Sequence, residues 1–128
     1  MEGYASFCFT TKFPHNEGKV VLVKQGGLLR FPGGEKKPEE NPQMTALRGV
    51  WEEISCWIGI RDVICCKRME NYCFLMYWAV YLGGKYKPGK EIEDLVFVFP
   101  SQISALIDSN QLFPEHAKMW TRLIKGPF

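Results

Sequence analysis

Two adjacent glutamates, Glu52 and Glu53, are the residues of this 128-residue chain best placed to do chemistry. Neighbouring carboxylates on an exposed helix side repel each other unless a cation neutralises them, and most such pairs are simply solvated. Three features argue for more here. Arg48 lies one helical turn before Glu52, the i,i+4 spacing of an ion pair. Glu39 and Glu40 stand just before the same segment. Gly33-Gly34 lets a backbone carbonyl approach it with no side chain in the way. Oxygen donors of this kind suit magnesium or manganese, which favour octahedral geometry and retain waters and substrate phosphates. Such an ion neutralises phosphate oxygens and acidifies a bound water, and a second carboxylate can take that water's proton. The residues therefore suit hydrolysis of a diphosphate linkage, with nearby lysines stabilising the leaving phosphate.

The glutamates need a helix to hold them, and Asn41-Pro42 announces one. Asparagine is a good N-cap, and proline suits the first helical position. The helix is expected over residues 42–57. At about 100° per residue, Leu47, Val50, Trp51, Ile54 and Ile58 share one side, facing the core. Gly49, Glu52 and Glu53 share the other, which presents two carboxylates and a bare patch of backbone.

Upstream, residues 5–11 alternate as a strand, with Phe7 and Phe9 on one side. Asn16-Glu17-Gly18 reads as a turn and residues 19–24 as a Val-rich strand. Gln25-Gly26-Gly27 forms a tight loop before residues 28–31, and the chain must turn sharply at Pro32-Gly33-Gly34. Downstream, residues 63–69 read as a strand, Glu70-Asn71 as a turn, and residues 73–82 as its long partner. That partner is apolar on both faces, as in a central strand covered by helices on each side. A polar loop over 83–93 contains Lys85, Lys87, Lys90 and Glu91; residues 95–99 form another strand. Ser101 caps a short helix through 106, and Pro114 opens a C-terminal helix over 114–124. Strands interspersed with helices imply an α/β sandwich, with one domain spanning 1–128.

Composition narrows the function classes. Hydrophobic content of 46% and charged content of 23% are ordinary for a soluble globular chain, and a net charge of +2 argues against a dedicated duplex DNA binder. The longest apolar run, residues 73–82, is too short to span a bilayer as a helix. The N-terminus lacks a basic region followed by an apolar stretch, so no secretory signal is read there. Cys8, Cys56, Cys65, Cys66 and Cys73 include no C-x-x-C pair, and only two histidines accompany them, which disfavours structural zinc. Thiols packed as small hydrophobes in a reducing, cytoplasmic setting are the plain reading, with Cys65 and Cys66 on alternate faces of a strand.

The segment from Gly34 to Cys56, GEKKPEENPQMTALRGVWEEISC, resembles the Nudix box, G-x5-E-x7-R-E-U-x-E-E-x-G-U with U a bulky aliphatic residue. Gly34, Glu40, Arg48, Val50, Glu52 and Glu53 fall in register. Gly49 stands where the first helix glutamate belongs, Ser55 replaces the second glycine, and Cys56 takes the closing aliphatic position. The LLRFPGG approach, a GKE segment in a later loop and a late FP segment resemble mutator-type nucleotide pyrophosphohydrolases. The resemblance implies a Nudix-type α/β/α sandwich with a mixed sheet. It also implies a Mg2+ or Mn2+ site made by the Gly33 carbonyl, Glu52, Glu53 and Glu91, with Glu93 the alternative to Glu91. Glu40 and Arg48 match a supporting pair. In family members of this type the glutamate missing at Gly49 serves as general base or metal ligand; Glu93, Glu115 and His116 are the other candidates for a base. Ser55 is expected to cause only a local shift.

Substrate contacts are less constrained. Phe7, Phe9, Trp78 and Phe113 can stack on a base, although as isolated aromatics on apolar faces their plain role is in the core. His116 follows Phe113-Pro114, near the family segment that lines the base pocket; its plain role is on a helix surface. Lys36-Lys37, Lys67-Arg68 and Lys85/Lys87 are solvated charges or phosphate contacts. The expected ligand is a nucleoside triphosphate or related pyrophosphate-linked nucleotide, hydrolysed by a monomer or homodimer. The second reading is a Nudix-fold module that binds a nucleotide or RNA end without turnover, which Gly49 favours. The third is an interaction scaffold whose Glu52 and Glu53 are ordinary surface residues.

Overall fold

Side-chain alternation along Gly3–Thr11 makes this strand, β1, the axis of the molecule: Phe7 faces one layer of packing and Cys8 the other. The computed structural model describes residues 3–11 and 18–125. Of the turn expected at Asn16-Glu17-Gly18, only Gly18 lies within the described residues. β2 (Val20–Gln25), β3 (Leu28–Arg30) and β4 (Gly33–Glu35) lead to helix α1 (Pro42–Ile54). The long hairpin of β5 (Cys56–Met69) and β6 (Tyr72–Gly84) follows, then β7 (Asp94–Val98), a 3-10 turn at Pro100–Gln102, α2 (Ile103–Asp108) and α3 (Pro114–Lys125).

The sheet runs β3-β2-β1-β6-β5, with β4 also pairing β1 and β7 pairing β2. β1 lies parallel to β6, and the other pairings are antiparallel. On one face, Ala46, Val50 and Ile54 of α1 pack against Cys8, Val21, Val23 and Tyr77. On the other, Ile103 of α2 with Met119 and Trp120 of α3 pack against Phe7, Leu22, Phe31 and Met76. The result is the expected α/β/α sandwich around a mixed sheet.

Three local expectations change. α1 stops at Ile54, short of residue 57, because Ser55 takes the left-handed conformation (φ 59°) that ends helices, and β5 begins at once with Cys56. Leu47 and Trp51, expected in the core, are 37% and 40% exposed. The buried face is instead Thr45, Ala46, Gly49, Val50 and Ile54, small residues that let the helix sit close to β1 and β4. Trp51 stacks on Trp57 of β5 (4.1 Å between ring centroids). Coverage of β6 on both faces is also incomplete: Trp78 is 43% and Leu82 64% exposed. A strand rises more than twice as far per residue as a helix, so 13-residue α1 cannot span 13-residue β6. Among the described residues no helix is long and apolar enough to cross a membrane.

Candidate active site

The site forms where the elbow Pro32-Gly33-Gly34 meets α1. Asn41 caps the helix as its side chain accepts the Met44 N–H at 2.8 Å, with Pro42 in the first turn. This entry aims Gly49 straight at the elbow. A Cβ at position 49 would lie 2.3 Å from the Gly33 carbonyl carbon and 2.5 Å from both its oxygen and the Gly34 nitrogen. Favourable carbon contacts begin near about 3.5 Å, so only glycine permits this approach. The expected bare patch is therefore covered by the elbow, and the helix-weakening glycine has a packing reason. A carboxylate introduced here would have to push helix and elbow apart before it could do chemistry.

Around this contact the charges are locked in pairs. Arg48 donates from Nε to Glu40 Oε2 at 2.7 Å and from Nη1 to Glu52 Oε1 at 2.5 Å. Its Nη2 reaches the Glu35 carbonyl at 2.6 Å and Glu40 Oε1 at 3.0 Å. Glu40 also accepts the Lys37 N–H and the Thr45 hydroxyl. The Arg48 guanidinium, aided by these donors against partial burial, holds the Glu40 carboxyl down to about 2. The supporting pair read from the sequence is thus present. Glu53 turns the opposite way from Glu52. Its Oε1 accepts the Gly33 N–H at 2.9 Å and Arg30 Nη1 at 2.9 Å, while Oε2 takes Arg30 Nη2 in a two-pronged pair. Arg30, which also reaches Gln25, was not singled out in the sequence; its signal was a lone cation in the strand just before the elbow.

A loop completes the enclosure. The last carbonyls of a helix lack internal donors, and here residues 85–93 supply two: the Gly89 N–H reaches the Glu53 carbonyl at 2.9 Å and the Lys87 N–H reaches that of Ile54 at 3.1 Å. Gly89 sits so close that a Cβ would be 2.0 Å from the Glu52 carbonyl oxygen. This docking brings Glu91 to a cavity of about 370 Å³ that Gly33, Glu52 and Glu53 also line. The four predicted ligands thus share one cavity. Among the described residues, no three histidine, cysteine or acidic side chains converge tightly enough to hold an ion as they stand. The guanidinium of Arg30 occupies Glu53 instead. The donors are all oxygens, so their chemistry fits a hard divalent ion, provided Arg30 releases Glu53.

A larger cleft of about 800 Å³ adjoins this cavity and shares Gly33, Gly34, Glu53 and Glu91 with it. Arg30, Lys36, Lys37 and Arg48 give the cleft a cationic side; Phe7, Tyr72, Phe74 and Phe113 give it an aromatic one. Phe9 stacks on Trp120 away from it, and exposed Trp78 lies outside its lining.

The alternative bases fall elsewhere. Glu93 accepts the Gly27 N–H at 3.2 Å, and Glu115 pairs with Lys67 at 2.6 Å. His116, expected at a helix surface, is fully buried. Its Nδ1 accepts the Phe31 N–H at 2.9 Å, and its ring packs edge-on against Phe7 and Phe113, both of which line the cleft. Burial, with the nearby Arg30 charge, pulls its pKa down to about 3. A ring so placed supports the cleft wall as a neutral group.

A profile of the NUDIX domain matches residues 12–123, and the chain belongs to the NUDIX domain family. Family members act on nucleotides or other pyrophosphate-linked substrates and generally use divalent metal ions. Solved structures of the same fold include a NUDIX hydrolase from Nitrosomonas europaea, 19% identical, with a TM-score of 0.79 over 97% of this chain and 70% of that one. A MutT protein from Methanosarcina mazei is 15% identical, with a TM-score of 0.74 over 96% and 93% of the two chains. An ADP-ribose pyrophosphatase from Streptococcus suis is 16% identical, with a TM-score of 0.68 over 100% and 96%. Comparison with curated proteins finds no match.

Proposed function

We propose that this protein hydrolyses the diphosphate linkage of a nucleotide derivative, a nucleoside triphosphate or a related pyrophosphate-linked nucleotide, with Mg2+ or Mn2+. The observation that carries this reading is the cavity shared by Gly33, Glu52, Glu53 and Glu91, which opens beside a cleft with one cationic and one aromatic side. In the proposed complex the base lies against Phe7, Phe74 and Phe113, and the phosphates face Arg30, Lys36 and Lys37. Glu53, Glu91, Glu52 and the Gly33 carbonyl are the ligands this chain offers an ion. When bound, a divalent ion supplies charge neutralisation at the phosphates and an acidified water. Arg48, tied to Glu40 and Glu52, sets the rotation of the helix. With no side chain at position 49, the proton acceptor in the cavity would be whichever of Glu52, Glu53 and Glu91 the ion leaves free.

One observation favours a second reading, a module that binds the same ligands without turning them over. The contact of Gly49 with the elbow leaves no room there for the missing carboxylate. A single experiment separates the two. The purified chain is incubated with nucleoside triphosphates, dinucleoside polyphosphates, ADP-ribose and capped RNA, with magnesium or manganese, and both binding and product are followed. Metal-dependent product on any member supports hydrolysis. Saturable binding without product supports the binding module, and neither binding nor product overturns both.

A further inference from the structure

β5 and β6 carry four of the five cysteines, and strand alternation sorts the three nearest the hairpin turn, Cys65, Cys66 and Cys73. Cys65 turns into the core, whereas Cys66 turns to the opposite face and is exposed. There its Sγ lies 2.9 Å from Sγ of Cys73. The two are diagonal neighbours, Cys66 standing opposite Leu75 and Cys73 opposite Arg68. A disulfide needs sulfurs at about 2.05 Å, so closure asks for less than about 1 Å of movement, which rotation of the exposed Cys66 side chain can supply. The pair lines a cavity of about 660 Å³ whose charged rim is Arg61, Arg68 and Asp62. Cys73 is only 3% exposed. Burial, then its contact with Cys66, pushes the Cys73 thiol up, and exposed Cys66 is the thiol that a reagent in solvent reaches first.

We infer that Cys66 and Cys73 form a dithiol site for small disulfides bearing carboxylates, of the glutathione disulfide class, which convert the pair into a reversible cross-strand disulfide. The Cys66 thiolate attacks one sulfur of the small disulfide. That S–S bond breaks, a mixed disulfide forms on Cys66, and the first small thiolate leaves and takes a proton from water. Cys73 then gives its proton to solvent and attacks Cys66 Sγ; the mixed S–S bond breaks, and the second small thiolate leaves and takes a proton from solvent. The protein dithiol is oxidised by two electrons, and one small disulfide becomes two thiols. Arg61 and Arg68 outnumber Asp62 on the rim, which favours an anionic reagent over a cationic one. Cys65 takes no part because its sulfur points through the sheet. The site stands on the face opposite Tyr72 and Phe74, so it is independent of the proposed hydrolysis.

The test uses the folded 128-residue chain with glutathione disulfide or with cystamine, a cationic disulfide. Expected with glutathione disulfide is the loss of two thiols, a peptide map joining Cys66 to Cys73, full reversal by dithiothreitol, and a rate several-fold above that with cystamine. Cys73→Ser is expected to stop the reaction at a glutathione adduct on Cys66, and Cys66→Ser to abolish it. No bridge, or a bridge through Cys65, overturns the site. A rate with cystamine equal to or above that with glutathione disulfide overturns the ligand class.

Discussion

Replacing Gly49 by alanine tests the contact on which the whole site rests. Two effects oppose each other. In a helix interior alanine is favoured over glycine by about 1 kcal/mol. Against this, the new methyl starts 2.3 Å from the Gly33 carbonyl carbon, and the atoms it meets are backbone that cannot rotate aside. Restoring a contact of about 3.5 Å requires α1 and the elbow to part by roughly 1 Å, an overpacking that costs about 1–3 kcal/mol. The same movement stretches the Gly33 N–H bond to Glu53 from its 2.9 Å and forfeits about 1 kcal/mol more. The sum predicts a net destabilisation of about 1–3 kcal/mol. Urea unfolding followed by tryptophan fluorescence should show a lower midpoint at unchanged slope. A variant as stable as the parent, or more so, would refute the reasoning, because it would mean the elbow yields freely. Gly49→Glu carries the same backbone conflict with a longer side chain. It is therefore expected to lose stability at least as much without raising turnover, and a rise in turnover with intact stability would return position 49 to the catalytic machinery.

Gly89→Ala should lift the loop off the end of α1, since its Cβ would lie 2.0 Å from the Glu52 carbonyl oxygen. The amides of Lys87 and Gly89 should then exchange hydrogen faster while core amides do not, and unchanged exchange would contradict the docking. Glu53→Gln should weaken Mn2+ binding, read by the paramagnetic signal of the ion, and leave the circular dichroism spectrum unchanged; unaltered affinity would remove Glu53 from the ligands. The pH dependence follows from two depressed values, His116 at about 3 and Glu40 at about 2. Both groups bind protons more readily unfolded than folded, so stability is lost as the pH falls: from about 6.5 toward 3 for His116, and from about 4.3 toward 2 for Glu40. The His116 contribution is up to about 5 kcal/mol at full shift, and His116→Gln should flatten the profile of urea midpoint against pH between 6.5 and 4; an unchanged profile would show that His116 is not the group responsible.

What the sequence made legible was whatever is decided within a few residues. Asn41 and Pro42 announce the start of α1 because an N-cap acts three residues ahead. The Arg48–Glu52 pair is readable because helical spacing alone brings it together. The periodicity of α1 matches the expected helix, but the helix is rotated from the expected buried face. Large apolar Leu47 and Trp51 outweighed Ala46 and Thr45 in the pattern, whereas the folded helix selects small residues so that Gly49 can reach the elbow. That distance is a tertiary fact with no local signature. Arg30 reaches Glu53 across 23 positions, and Phe31 reaches His116 across 85. The Cys66–Cys73 contact lies in the unbroken register beside the Glu70-Asn71 turn, so the hairpin expected from the sequence already makes the two diagonal neighbours; the three register shifts fall farther along, between residues 57 and 65.

The two features the sequence handled least well, Gly49 and Arg30, belong together physically. A carboxylate at position 49 would add negative charge beside Glu53 and space between helix and elbow. With glycine there, the elbow closes onto the helix, the Gly33 N–H reaches Glu53, and one guanidinium is enough to balance the charge that remains. Exchanging one residue for another at position 49 therefore alters the geometry and the electrostatics of the cavity at once. Restoring the glutamate alone would recreate the motif without recreating the site, because Arg30 and the elbow would still be arranged for its absence.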